Sequence, residues 1–219
     1  MSDPVPWLDR LAHDLRGPLM PLQTASYLLR SGQLEPERQQ ELFVLVERQT
    51  QRLARMIDEL DDWTHASQHT LLGKREACEP ALLLDNAIGG ARLGSNIAPT
   101  IVDDTGECHV HGDPSRLTQL LRTLLEYAAR SRPVQVSMRI MDAHVRIDVI
   151  DAGATADSTQ LATLLEQPMP EPYDEGLGLR LLVARAIAEA HDGTLQADAA
   201  PGGGLRLRFE LPIATDIQP

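Results

Sequence analysis

The sequence predicts an α plus α/β protein: an antiparallel helical hairpin, forming a dimeric four-helix bundle, followed by an α/β sandwich. Three observations carry this expectation. Leu8, Leu15, Leu22 and Leu29 recur every seven residues, as in a coiled-coil stripe. Leu42, Val46, Gln49, Leu53, Met56, Leu60 and Trp63 follow with alternating spacings of four and three. Beyond residue 80, helical runs are interleaved with segments that alternate apolar and polar, as half-buried strands do.

The first helix has start signals at Asp3 and at Pro4 and Pro6, and a stop at Gly32. Gln33 to Glu35 read as a short turn, and Pro36 opens a second helix that runs to about Ala66. Two such helices cannot close a core alone, so pairing with a second copy is expected. Pro18 and Pro21 each remove a backbone donor inside the first helix and should kink it. His13 falls beside the leucine stripe, so it should be partly exposed. These elements place a hairpin at 1–68, a polar connection at 69–79 and an α/β domain at 80–219.

In that last part, Pro80 to Leu93 reads as a helix, and Ile97 to Val102 and Cys108 to His111 as short strands. Asp113-Pro114 starts a strong helix through Leu117, Leu120, Leu121, Leu124, Leu125 and Ala128. Val134 to Met141 and His144 to Ile150 form a hairpin turning at Asp142-Ala143. Ser158 to Glu166 reads as a short helix, and Gln167 to Glu175, rich in Pro and acid, as a mobile loop. Leu177 to Ala190 reads as a helix ended by Asp192-Gly193. Thr194 to Asp198 and Leu205 to Leu211 make a final hairpin.

Composition narrows the function classes. The chain has 219 residues and a formal net charge of -12, which opposes binding to a phosphate backbone, so no nucleic acid is expected as partner. Aromatics are only 3%, so the core must be aliphatic. Cys78 and Cys108 lack metal-ligand spacing and read as thiols in a reducing compartment. No signal peptide and no apolar run long enough to span a membrane is evident. A cytoplasmic location follows as an expectation, with any sensor a separate protein. His109 and His111 alternate in one short segment without further ligands, so no metal site is assigned.

The chemistry concentrates in Leu11-Ala-His13-Asp14-Leu-Arg16-Gly17-Pro-Leu19. A neutral imidazole can attack phosphorus, and an adjacent carboxylate can take up the proton released. Further on, Asp151 ends a strand, where a carboxylate can accept a hydrogen bond from an adenine amino group. Gly153 lets the backbone approach a flat base. Gly176 and Gly178 precede a helix whose first amides can cradle phosphate. Ordinary loop and cap chemistry accounts for these two glycines equally well.

The nonapeptide around His13 resembles the phosphoacceptor box of dimeric sensor histidine kinases. Residues 113–121 resemble the lead-in to the N box of the histidine kinase, gyrase and Hsp90 superfamily. Val149-Ile-Asp-Ala-Gly153 and Gly176-Leu-Gly-Leu-Arg-Leu-Leu182 resemble its two glycine boxes, and Ala190-His-Asp-Gly-Thr194 its Ala-His-Gly-Gly. The resemblance covers almost the whole chain. It implies His13 and Asp14 as the catalytic pair, with Asp151, Gly153, Gly176 and Gly178 holding ATP. It further implies a response-regulator receiver domain as partner, contacted near Leu11, Arg16 and Met20, and a homodimer.

Four positions depart from that pattern. Thr123 and Tyr127 stand at the N-box asparagines, and Tyr127 replaces the one that in the family holds magnesium between the ATP phosphates. A phenol is a poor ligand for Mg²⁺, and Glu126 points about a quarter turn away. Thr155 replaces a glycine of the first glycine box. Gly17 stands where the family often has Thr or Asn to position water, so weak phosphatase activity is expected. Glu166, Glu171, Asp174 and Glu175 would repel a triphosphate. Binding of ATP and Mg is therefore expected to be weak or absent.

Three readings remain at this level. His13 passes a phosphoryl group to a response regulator and is loaded by another regulator instead of by ATP. Alternatively, the chain is an ATP-dependent protein-histidine kinase with an atypical metal site. In the third, it is a non-catalytic pseudokinase that binds a partner.

Overall fold

The computed structural model describes residues 8–32, 34–91, 99–130, 134–151, 153, 158–173, 175–201 and 203–214. The chain divides into two compact units. One comprises Met1–Asp61 with Met169–Leu179, the other Asp62–Pro168 with Arg180–Pro219.

In the first unit, α1 (Leu8–Arg30) and the main part of α2 (Pro36–Ser67) form the helical hairpin. The start signals expected at Asp3, Pro4 and Pro6 lie outside the described residues. Pro18 and Pro21 sit inside α1, which continues as one helix through both. Ser31 ends the last turn by bonding Leu28, and Gly32 takes the left-handed conformation, φ 68°. Pro36 occupies the first helical position of α2, where no backbone donor is missed.

Among the described residues of the hairpin itself, burial follows a narrow seam. Pro18, Ala25, Leu42, Gln49, Met56 and Glu59 are buried, whereas Leu15, Leu22 and Leu29 are only half-buried. Leu19, Met20, Tyr27, Phe43, Val44 and Ile57 remain exposed. A hairpin with this much open apolar surface has the character of half a bundle.

The second unit is a two-layer α/β structure. Its five-stranded sheet has the order β2 (Thr100–Asp104), β4 (Val134–Met141), β5 (His144–Asp151), β7 (Leu205–Pro212), β6 (Thr194–Ala199). All neighbours are antiparallel except β2 and β4. One sheet face carries Val136, Met138, Val145, Ile147, Val149, Leu207 and Phe209, all buried. Against them lie Leu117, Leu120, Leu121, Leu124 and Leu125 of α4 (Pro114–Ala128) and Leu181, Ala184 and Ile187 of α6 (Arg180–Ala190). Burying each of the larger side chains among these contributes roughly 1.5–3 kcal/mol. The opposite face bears cross-strand ion pairs: Arg146 to Glu210 at 2.6 Å, Arg208 to Asp148 at 3.0 Å and Arg206 to Asp198 at 2.6 Å. Each pair is directly opposite in register, so this face is polar by construction.

Several elements differ from expectation. Residues 69–79, expected to be irregular, contain β1 (Glu76–Cys78), which pairs antiparallel with β3 (Val110–Gly112). Three residues are too few to display a period. The strand expected at Cys108–His111 is shifted accordingly, because Cys108 is still in a turn closed on Gly106. α3 (Pro80–Gly90) stops before Leu93, at two glycines, which are poor helix formers. The strand expected from Ile97 starts at Thr100, and residues 97–98 lie outside the described ones. α5 (Ser158–Thr163) is shorter than expected. α6 begins at Arg180, not Leu177, because Gly178 has φ +77° and cannot belong to a right-handed helix.

Candidate functional site

His13 stands in the second turn of α1, with its side chain 88% exposed. The sequence predicts a partly exposed position beside the leucine stripe. Nδ1 lies 3.1 Å from Oδ1 of Asp14, whose side chain is 35% exposed. In the tautomer that donates from Nδ1, the ring lone pair is at Nε2, and Asp14 is placed to receive the Nδ1 proton. Leu11 is half-buried, while Arg16 and Met20 are exposed on the same helix. At Gly17 a Cβ would meet nothing within 4 Å, so the position has room for a side chain.

Gly176, Leu177, Gly178 and Leu179 belong to the same compact unit as His13 and are buried. Gly178 is fixed by Met169: the Met169 N–H donates to the Gly178 carbonyl at 3.0 Å, and a Cβ at Gly178 would lie 2.4 Å from the Met169 oxygen. The segment expected to be a mobile loop is thereby tied across its base. Asp174 lies outside the described residues. Leu177 and Leu179 donate their backbone N–H groups to one oxygen of Glu59, at 3.2 and 2.9 Å. Arg52 donates to the Glu175 carbonyl at 2.9 Å.

Asp151 and Gly153 belong to the other unit. Asp151 closes β5 opposite Val134 on one side and Leu205 on the other. Its carboxylate folds over Gly153: a Cβ there would lie 3.0 Å from both Asp151 oxygens. Gly204, φ +91°, runs directly beneath, where a Cβ would strike the Asp151 carbonyl. Thr155 lies outside the described residues.

The N-box positions lie on α4. Asp113 caps that helix, accepting from the N–H groups of Ser115 and Arg116 at 3.0 and 3.2 Å, and also from Gly73 at 2.7 Å. Thr123 is buried and donates its hydroxyl to the Gln119 carbonyl at 3.0 Å. Tyr127 is 7% exposed, and the Arg130 guanidinium carbon stands 4.0 Å from its ring centroid. Glu126 accepts from Arg180 at 2.6 Å. His191, expected as part of the Ala-His-Gly-Gly motif, is buried. Its Nε2 accepts the Asp113 N–H at 2.9 Å, and its Nδ1 faces the Ile187 carbonyl at 2.7 Å. Burial lowers its pKa, as does Arg75 nearby, while the Ile187 carbonyl, Asp113 and Asp192 act in the opposite direction. Burial likewise raises the thiols of Cys78 and Cys108, both free.

Sequence reasoning missed Glu59, Arg52 and the pairing of Glu126 with Arg180. Glu59 had a signal: it lies three residues after Met56 and four before Trp63, hence on the apolar stripe. A carboxylate on a buried stripe needs a partner.

The described residues thus combine an exposed histidine–carboxylate pair on a helical hairpin with a helix-backed mixed sheet. Residues 7–68 match the His Kinase A (phospho-acceptor) domain, and residues 112–215 match the histidine kinase-, DNA gyrase B-, and HSP90-like ATPase family. The chain belongs to the two-component sensor histidine kinase family. It is 28% identical over 211 residues to the sensor histidine kinase ZraS of Klebsiella oxytoca, covering 93% of this chain and 45% of that protein. It is 28% identical over 222 residues to the histidine-protein kinase BaeS of Escherichia coli, covering 95% and 46%. The chain thus spans under half the length of these two relatives. Among solved structures it resembles the Acinetobacter baumannii histidine kinase AdeS, with TM-score 0.70, 20% identity and coverage of 91% and 97%. It also resembles the histidine kinase ThkA in complex with the response regulator TrrA, with TM-score 0.73, 19% identity and coverage of 94% and 60%. Among the described residues no helix is long and apolar enough to cross a membrane.

Proposed function

We propose that this chain is a phosphotransfer protein of histidine kinase fold, in which His13 carries a phosphoryl group and passes it to a receiver-domain aspartate. The observation that carries this reading is the His13–Asp14 pair, open to solvent and 3.1 Å apart. Nε2 attacks phosphorus and the bond to the donor oxygen breaks. Asp14 takes the Nδ1 proton, leaving a neutral phosphohistidine. In the onward step the aspartate oxygen attacks the same phosphorus, the P–N bond breaks and the proton returns to the ring. Leu11, Arg16 and Met20 lie on the same helix as His13 and form the proposed receiver contact. The regulator bound to ThkA, a protein of the same fold, favours this class of partner. The exposed Leu19, Met20, Tyr27, Phe43, Val44 and Ile57 favour a homodimer.

The source of the phosphoryl group divides two readings. Tyr127, buried under Arg130 at the position of the magnesium asparagine, favours loading from a phosphorylated regulator. Asp151 with Gly153, and the amide-presenting loop at Gly176 and Gly178, favour an ATP-dependent protein-histidine kinase with an atypical metal site. Both readings use His13. Incubation with labelled ATP and Mg²⁺ separates them. Rapid labelling of wild type, absent in His13→Ala, establishes the kinase. No labelling by ATP, but transfer from a phosphorylated receiver to His13, establishes the relay. Failure of both leaves a protein that only binds a partner and rejects the phosphotransfer reading.

A further inference from the structure

We infer that Glu59 is a built-in competitor for the glycine loop: its carboxylate occupies the backbone amides that a nucleotide phosphate would use, so the hairpin gates access to the loop. This rests on the reading of Gly176 and Gly178 as nucleotide-binding.

Two N–H groups, of Leu177 and Leu179, converge on the single oxygen Oε2 of Glu59 at 3.2 and 2.9 Å. Alternate amides aimed at one point form an anion-binding concavity. Here the concavity holds an anion from its own chain. Glu59 is 5% exposed and Leu179 is fully buried, so the contact is shielded from competing water. The loop cannot relax to offer its amides elsewhere, because Gly178 is pressed against the Met169 backbone at φ +77°. Carboxylate and phosphate are both oxyanions, and two of them cannot accept the same N–H pair at once. A nucleotide therefore binds only after Glu59 has left.

A second tie makes the contact a property of the helix. Arg52 and Glu59 are seven residues apart, two turns along α2, and so share one face. Arg52 holds the Glu175 carbonyl at 2.9 Å, immediately before the glycines. A rotation or slide of α2 that withdraws Glu59 withdraws Arg52 as well and frees the Leu177 and Leu179 amides, while Met169 still holds Gly178. By linkage the coupling is reciprocal: phosphate on the loop must disfavour the hairpin state in which Glu59 points into it.

The test uses the full chain with Glu59→Ala, and with Glu59→Gln, which keeps an acceptor oxygen but no charge. Two readouts are taken: hydrogen exchange at the Leu177 and Leu179 amides without ligand, and titration with ATP. Glu59→Ala should speed exchange at both amides and tighten ATP binding about ten-fold, the scale of charge-assisted hydrogen bonds, with Glu59→Gln between it and wild type. Arg52→Ala, which leaves the glycine amides untouched, should shift both readouts the same way by less. Unchanged exchange in Glu59→Ala overturns the contact itself. Faster exchange with ATP affinity equal to wild type overturns the competition. Faster exchange with no ATP binding to any form shows instead that the nucleotide reading has failed, and the competition with it.

Discussion

His191 accepts the backbone N–H of Asp113 at its Nε2 atom, 2.9 Å away, while its Nδ1 lies 2.7 Å from the Ile187 carbonyl. Only the neutral ring with its proton on Nδ1 satisfies both neighbours. A second proton would set N–H against N–H. The bond also links the end of α6 to the residue that caps α4, and a Cβ at Gly112 would press into the same ring at 2.7 Å.

This contact makes stability depend on pH. Burial holds the native pKa below the usual 6.5 of a histidine, so the unfolded chain takes the proton first. The contribution of His191 is complete above about pH 6.5 and is lost as pH falls through the native value. Each unit of depression is worth about 1.4 kcal/mol. Urea unfolding of wild type and His191→Gln across pH 7.5 to 5 checks this. Wild type should lose more stability than the variant over that range. Parallel curves would sink the assignment.

Gly17 and Gly178 should respond oppositely to alanine. At Gly17, inside α1, a Cβ meets nothing, and alanine should stabilise the hairpin by roughly 0.5–1 kcal/mol. At Gly178 the left-handed backbone alone costs an alanine about 1–2 kcal/mol, and its Cβ would strike Met169 at 2.4 Å. Thermal melts of both variants compare the two. Gly17→Thr is the functional companion: the room at this position accepts a side chain able to orient water. Dephosphorylation of a phosphorylated receiver should be faster with this variant than with wild type.

Asp62 should couple strongly to α4. It accepts from Arg116 at 2.5 Å and Gln119 at 2.6 Å, and Arg116 also donates to the Leu71 carbonyl at 3.0 Å. All four residues lie in one compact unit, so the division of the chain falls inside α2, between Asp61 and Asp62. A double-mutant cycle with Asp62→Ala and Arg116→Ala should give a coupling on the order of 1 kcal/mol, since both side chains are mostly shielded from solvent. Additive effects would show that the contact does not fasten the end of α2.

What the sequence displayed depended on whether the information was periodic. The leucines of α4 and the alternation in β4 and β5 announced their elements because each repeats a geometric period over several turns or pleats. The cap at Asp113 was legible because Asp-Pro has one strong conformational use. By contrast, β1 is only three residues long, and the start of α6 is displaced by the left-handed backbone at Gly178, which Met169 holds from across the preceding loop. The amides of Leu177 and Leu179 carry no side-chain signature, so their carboxylate partner could be found only through its odd place on the α2 stripe. Tyr127 was visible as a substitution, but its cover by Arg130 depends on the turn after α4.

Replacing Tyr127 with asparagine should restore a dependence on magnesium. An amide oxygen is a ligand Mg²⁺ accepts, whereas a phenol is not. The change removes a ring that is 7% exposed and stacked by Arg130, so it should also destabilise the domain by about 3 kcal/mol, as large-to-small substitutions in packed sites do. The two effects separate if Tyr127→Ala is measured in parallel, because alanine opens the same space without supplying an oxygen. ATP titrations with and without Mg²⁺ provide the comparison. The ratio of affinities should be near one for wild type and for Tyr127→Ala, and well above one for Tyr127→Asn. A large ratio already present in wild type would mean that another group holds the metal. Equal gains in both variants would mean that Tyr127 acts only by volume.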